Sequence, residues 1–235
     1  MADELIYTDD DVLCMLDALL AGRQSDWWNG FYEDRAKPCP FFVESPDENL
    51  AHWVDEQLVR PGRAVDLGCG NGRNGIFLAR RGFAVEGVDY SQKAIDWAAE
   101  RVREAGVSMP VRCRSVFELE YAPGSFDLVY DSGCFHHMPP HRRRTYVELV
   151  VGLLKPGGWL GLTCFRPEGG SGYSDLDVYE RRSLGGGLGY TEVQLRGIWS
   201  RGLQVQAIRQ MRRQGEGSAL FGVDFLWVLL ARKMP

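Results

Sequence analysis

The segment Gly68-Cys69-Gly70-Asn71-Gly72 places three glycines in five positions, directly after the apolar run Arg63-Ala64-Val65-Asp66-Leu67. A strand that ends in bare backbone and turns at once into a helix leaves N–H groups facing outward at the carboxyl end of a sheet. Open α/β sheets bind their ligands there. A second apolar run ends in Gly87-Val88-Asp89, which sets a carboxylate 19 residues beyond Gly70, where it can accept hydrogen bonds from ribose hydroxyls. These residue types at this spacing are suited to holding a nucleoside-bearing cofactor.

Gly70-Asn71-Gly72-Arg73-Asn74-Gly75 formally satisfies the GxGxxG pattern of dinucleotide sites, so an NAD-dependent dehydrogenase is one reading. Asp66 argues against it. A carboxylate at the strand end lies close to where a pyrophosphate would sit at the helix N-terminus, and it would repel that doubly negative group. A cationic ligand is favoured instead. S-adenosylmethionine carries an ammonium and a sulfonium beside its ribose, so acids at Asp66 and Asp89 suit it at both ends.

The elements that must position these residues follow from periodicity. Short apolar runs near 63–67, 83–88, 110–114, 126–130, 158–164, 203–209 and 224–231 read as strands, with helical patterns near 73–81, 91–105, 141–154 and 191–201 between them. That alternation predicts an α/β fold: a Rossmann-like, doubly wound and mainly parallel sheet. Upstream, Thr8 caps a run of three aspartates, and Val12, Leu13, Leu16, Leu19 and Leu20 follow at helical spacing until Gly22. Ser45-Pro46-Asp47-Glu48 reads as a second helix start, with serine as N-cap and proline at the first helical position. Between the two lie Trp27, Trp28, Phe31, Tyr32, Phe41 and Phe42, an aromatic stretch whose spacing looks too irregular for a helix face. The expected organisation is a helical and aromatic cap over residues 1–60, with Trp28 and Tyr32 available to close over a ligand, and a binding domain over 61–235.

Composition bounds the rest. A chain of 235 residues, 45% hydrophobic and 25% charged, can build one well-cored domain. A formal net charge of -5 gives no overall electrostatic footprint for nucleic acid, so a small-molecule partner is expected. The six cysteines are scattered without a CxxC pair and read as reduced thiols, and no metal site is expected from their spacing. No apolar run approaches the roughly 20 residues of a membrane span, and Met1-Ala2-Asp3-Glu4 is acidic where a signal peptide would be basic. A cytoplasmic protein without a membrane partner is the expectation; the oligomeric state is open.

Val65-Asp66-Leu67-Gly68-Cys69-Gly70-Asn71-Gly72 resembles the first motif of the class I S-adenosylmethionine-dependent methyltransferases. Val85-Glu86-Gly87-Val88-Asp89-Tyr90-Ser91 resembles the second, Phe126-Asp127-Leu128-Val129-Tyr130-Asp131 the fourth-strand motif, and Leu153-Leu154-Lys155-Pro156-Gly157-Gly158 the turn before strand five. The resemblance implies seven strands with the last antiparallel. It implies S-adenosylmethionine held by Asp66, Gly68, Cys69, Gly70, Asn71 and Gly72, by Asp89 on the ribose, by Tyr90 on the adenine, and by Asp131 after strand four. Where the family often carries an aspartate after strand three, this chain has Ser115-Val116. The Ser115 hydroxyl can still accept from the adenine amino group, with the Val116 backbone beside it.

On the acceptor side, the resemblance places Cys134-Phe135-His136-His137-Met138 where relatives face the methyl group, so His136 and His137 are the candidate general bases. The aromatic N-terminal segment and the long loop after strand five are similar, more loosely, to bacterial small-molecule methyltransferases related to the thiopurine and thiol enzymes. That similarity implies a small acceptor methylated on O, N or S, in natural-product tailoring or detoxification. A protein that binds the cofactor without chemistry is the alternative.

Overall fold

In a computed structural model of the chain, residues 5–20 and 25–234 are described. Gly22, expected to stop the first helix, and the acidic start at residues 1–4 lie outside the described residues. Seven strands, β1 (Arg63–Leu67), β2 (Ala84–Asp89), β3 (Val111–Cys113), β4 (Phe126–Ser132), β5 (Leu154–Phe165), β6 (Leu203–Gln210) and β7 (Leu226–Lys233), form one sheet in the order β3-β2-β1-β4-β5-β7-β6. The pairs β1·β2, β1·β4, β2·β3 and β4·β5 are parallel, and β7 runs antiparallel to both β5 and β6. This is the expected seven-stranded doubly wound sheet. Its strand order reverses between β1 and β4, which opens a crevice at their carboxyl ends.

The central strands read as unbroken apolar runs because both faces are covered. On one face Tyr146, Val150 and Leu153 of α6 (Arg143–Leu153) and Leu195 and Trp199 of α8 (Glu192–Trp199) pack on Val65, Val129 and Leu160. On the other, Leu50, Trp53 and Val54 of α3 (Glu48–Asp55) and Ile76 and Leu78 of α4 (Arg73–Arg80) pack on Ala64, Val85 and Leu128. A fifth long helix, α5 (Gln92–Ala105), starts at the Ser91 cap and ends on left-handed Gly106.

Three departures from the sequence reading bear on the site. The α3 helix begins at Glu48, not at Pro46; its N-cap is Asp47, whose side chain makes no capping bond because it is drawn into the interior. The α3 helix, within the residues 1–60 expected to form a cap, packs into the body of the domain. The aromatic stretch contains a helix after all, α2 (Ser25–Glu33), and the loop after β5 carries the short α7 (Asp175–Glu180), closed by a Ser174–Asp177 capping box. The first helix, α1 (Asp9–Leu19), has the expected Thr8 cap, reinforced by Asp11, yet buries none of its residues. Its polar tie to the body is Asp17, which accepts from Arg142 and meets His141 Nε2 at 2.8 Å.

Candidate active site

At the carboxyl ends of β1, β2 and β4 lies a cavity of about 830 Å³. One wall is the glycine loop. Gly68 and Gly70 hold φ of +67° and +53°, a region in which side chains are strained, and a Cβ on Gly70 would stand 2.9 Å from the Tyr32 hydroxyl. Gly72 (φ +77°) supplies the left-handed entry to α4 and packs towards Ala98; it does not line the cavity. Asn71 lines it, but its side chain donates to the Val43 carbonyl (3.1 Å) and serves to tie the loop to the chain before α3.

The two acids sit where the sequence placed them. Asp89 Oδ2 accepts from Gly70 N–H and Oδ1 from Ser91 N–H, both at 2.9 Å. A carboxylate offers about four acceptor sites, so capacity remains for ribose hydroxyls. Burial raises the Asp89 pKa, and these backbone donors partly offset that rise. Asp66 is 1% exposed and accepts from Gly75 N–H at 3.1 Å. Burial pushes its pKa up to about 8, against the pull of the Arg73 guanidinium. This acid keeps its proton at neutral pH, and an ammonium placed beside it would favour the ionised form.

The glycine loop is backed by a buried polar network that motif reading missed. Arg73 contacts Asp47 Oδ1 at 2.6 Å, with 6% and 0% of their side chains exposed, and donates to the Ser45 carbonyl and to Ser132 Oγ. Asp47 Oδ2 accepts from Tyr130 (2.6 Å) and from Asn74 (3.2 Å), and Asn49 donates to the Tyr130 hydroxyl. Arg73, Asn74, Ser132 and Thr163 line the cavity beside Asp66. The available signal was polar residues at the buried positions of two helices, which the Ser-Pro-Asp start and the glycine pattern had disguised as a cap and as spacers.

Across from this wall, Tyr90 and Val116 line the cavity, and so does Ser115, whose hydroxyl already accepts from Phe117 N–H at 3.3 Å. Tyr32 and Trp28 of α2 cover it: Tyr32 stacks on Phe42 (5.4 Å, 20°), and Trp28 meets the His137 ring edge-on at 4.8 Å. Asn29 holds this helix down, its Oδ1 accepting from Ser91 Oγ (2.9 Å) and Lys93 N–H (3.2 Å). The Cys69 and Cys134 thiols also face the cavity, and burial pushes both well above the usual thiol range, so they remain neutral.

Two expected site residues are engaged by the protein itself. Asp131 is fully buried, is not among the cavity's lining residues, and accepts from Cys134 N–H, Phe135 N–H and the Tyr146 hydroxyl (2.5 Å). It fixes the turn after β4. His136 is 2% exposed, stacks on Phe165 at 3.7 Å and accepts from Phe165 N–H through Nδ1, while its carbonyl accepts from Leu188 N–H. With Nδ1 accepting, a neutral ring carries its proton on Nε2. His137 is less buried, lines the cavity, and lies between Trp28 and His136.

The arrangement fits S-adenosylmethionine: a bare loop that a Cβ would fill, one acid for ribose hydroxyls, and one acid for an ammonium. Residues 64–158 match the methyltransferase domain family. Among curated proteins, the chain is 35% identical over 122 residues to an uncharacterised methyltransferase of Synechocystis sp. (52% of each chain). It is 29% identical over 136 residues to a ubiquinone biosynthesis O-methyltransferase of Coxiella burnetii (57% of this chain, 55% of that protein). The chain thus spans about half the length of the curated relatives it matches. Among solved structures, a protein from work on the conversion of a disulfide bond into a thioacetal group during echinomycin biosynthesis superimposes with a TM-score of 0.70 at 21% identity, over 90% of this chain and 93% of that one. A 1,6-didemethyltoxoflavin-N1-methyltransferase of Burkholderia thailandensis, solved with its substrate and S-adenosylhomocysteine, does so with a TM-score of 0.63 at 19% identity, over 100% and 94%. At these identities the two structures speak for the fold alone. Residues 64–158, which carry the glycine loop and β2 to β4, are thus similar in sequence to the methyltransferase domain family, and the chain as a whole shares the fold of these enzymes.

Proposed function

We propose that this chain methylates an O, N or S atom of a small molecule. The observation that carries this reading is that one cavity joins the cofactor wall of Asp66, Gly68, Cys69, Gly70 and Asp89 to an aromatic wall with His137 at its edge. S-adenosylmethionine, when bound, supplies a methyl group on an electrophilic sulfonium. The residues of the chain bind, align and dry the site. Asp89 and the loop N–H groups hold the ribose, Tyr90, Ser115 and Val116 the adenine, and Asp66 the ammonium. Tyr32 and Trp28 cover the reacting centre and exclude water, which strengthens the electrostatics inside. His137 takes the acceptor's proton if the nucleophile arrives protonated. The cap is the segment before α3, and the rest of the chain is the catalytic domain.

Calorimetry with S-adenosylhomocysteine, followed by a methyl-transfer screen over phenols, amines, thiols and N-heterocycles, tests the proposal. Asp89→Ala is expected to cut cofactor affinity roughly tenfold or more, as loss of a charged hydrogen-bonding partner does. Tight NAD binding without binding of S-adenosylhomocysteine would overturn the reading. Cofactor binding with no turnover across the screen would favour the non-catalytic alternative.

A further inference from the structure

Outside the acceptor end of the cavity lies a second recess of about 270 Å³. It shares Trp27, Trp28 and His137 with the cavity and adds Arg182, Ser183 and Leu184. The recess therefore meets the cavity at Trp27, Trp28 and His137. Its inner part is aromatic, with Trp27 and Trp28 edge-to-face at 4.8 Å. Its outer rim carries a cation.

That cation differs from its neighbours. Arg142 is matched by Asp17, Arg143 by Asp175 and Arg181 by Asp177. Among the described residues Arg182 makes no ion pair and no side-chain hydrogen bond, in a chain whose net charge is -5. Its backbone holds φ +50° just after α7, a position at which glycine is the unstrained choice. The segment around it is pinned: Ser183 N–H donates to the Val178 carbonyl, Ser183 Oγ accepts from Gly185 N–H, and Leu184 is 5% exposed. A guanidinium carried on a pinned backbone is a planar, multidentate receptor for a carboxylate or a phosphate.

Resting on the methyl-transfer reading above, we propose that the acceptor is an apolar, planar molecule with an anionic group remote from its nucleophile. Trp27 and Trp28 hold its body, His137 faces its reacting atom, and Arg182 receives its carboxylate or phosphate.

The test does not require the natural acceptor. Protein saturated with S-adenosylhomocysteine is titrated with 2-naphthoate, 2-naphthyl phosphate and the neutral 2-naphthamide, read by quenching of tryptophan fluorescence. At low salt one or both anions are expected to bind roughly three- to tenfold more tightly than the amide. The carboxylate and phosphate arms show which group the rim prefers. Arg182→Gln should bring the anions down to the amide, Arg182→Lys should restore part of the gap, and Arg181→Gln should leave it intact. Equal binding of all three probes overturns the proposal, as does an Arg182→Gln variant that keeps the gap, or no probe binding while S-adenosylhomocysteine still binds. Failure to bind S-adenosylhomocysteine itself would instead overturn the methyltransferase reading on which the proposal rests.

Discussion

His136 and His137 are adjacent in sequence and stand in different physical situations. His136 lies flat on Phe165 and spends Nδ1 on a backbone N–H, so it ties the turn after β4 to the end of β5. His137 keeps its place on the cavity wall between Trp28 and His136. Replacement by alanine should separate the two roles. His137→Ala is expected to lower turnover on a protonated acceptor by roughly 10²-fold while S-adenosylhomocysteine affinity stays near normal, because the loss falls on proton transfer. His136→Ala should instead cost about 2–4 kcal/mol of stability through a lost stack and an unmet buried N–H. Full turnover in His137→Ala would leave catalysis to alignment alone. At this scale the sequence pointed to residues that line the cavity by bare backbone or by a lone acid, since their types are few and their spacing is rigid. It did not separate Asp89, which keeps acceptor capacity at the cavity, from Asp131, whose acceptors are consumed by Cys134, Phe135 and Tyr146. Both are acids at strand ends, and only three-dimensional partners tell them apart.

Elements of the sheet were legible because parallel strands buried on both faces must be continuous apolar runs closed by glycine or acid. The elements over the cavity were not. In α2 the aromatics Trp27, Trp28, Phe31 and Tyr32 fall on one side and Asp26, Asn29 and Glu33 on the other, a helical period; but Phe41 and Phe42, which lie beyond the helix, continue the aromatic stretch and hide it. Nine residues repeat that pattern little more than twice, so the signal is short as well as masked. The hold of α2 on the domain is local. Asn29→Ala removes both bonds that Oδ1 accepts from Ser91 and Lys93. The expected result is a several-fold faster dissociation of S-adenosylhomocysteine in stopped-flow fluorescence and faster amide exchange over residues 26–33. Global stability should change by less than about 1 kcal/mol, as for most substitutions outside the core. An unchanged dissociation rate would mean that α2 does not gate the cavity.

Across the whole molecule, the cofactor wall and the stability of the fold are coupled through buried acids. Asp66 and Asp131 are fully interior, and burial raises them to about 8 and about 7, well above the usual carboxylate range. In the unfolded chain both are ionised well below neutral pH, whereas the folded chain keeps their protons. The raised folded values therefore mean that folding takes up protons. The stability this contributes is complete at acid pH and is lost as pH rises through about 7 and about 8. The loss is on the order of 1.4 kcal/mol per pH unit for each acid, or roughly 2 kcal/mol from Asp66 alone between pH 6 and 8. At about 2–4 °C per kcal/mol for a chain of this size, the cofactor-free protein should lose roughly 4–8 °C of melting temperature over that interval from this one group. Asp66→Asn stays neutral, retains an acceptor for Gly75 N–H, and should melt with a visibly shallower pH slope. An ammonium beside Asp66 favours its ionised form, so saturation with S-adenosylhomocysteine should flatten the slope of the parent and leave that of Asp66→Asn little changed. The same linkage makes affinity for S-adenosylhomocysteine rise with pH up to about 8, until its α-amino group begins to lose its proton. Melting curves at pH 6, 7, 8 and 9, with and without ligand, decide the matter. If the parent and Asp66→Asn decline in parallel, or if ligand leaves the slope of the parent as steep as before, Asp66 is not the cation-binding acid of this cavity.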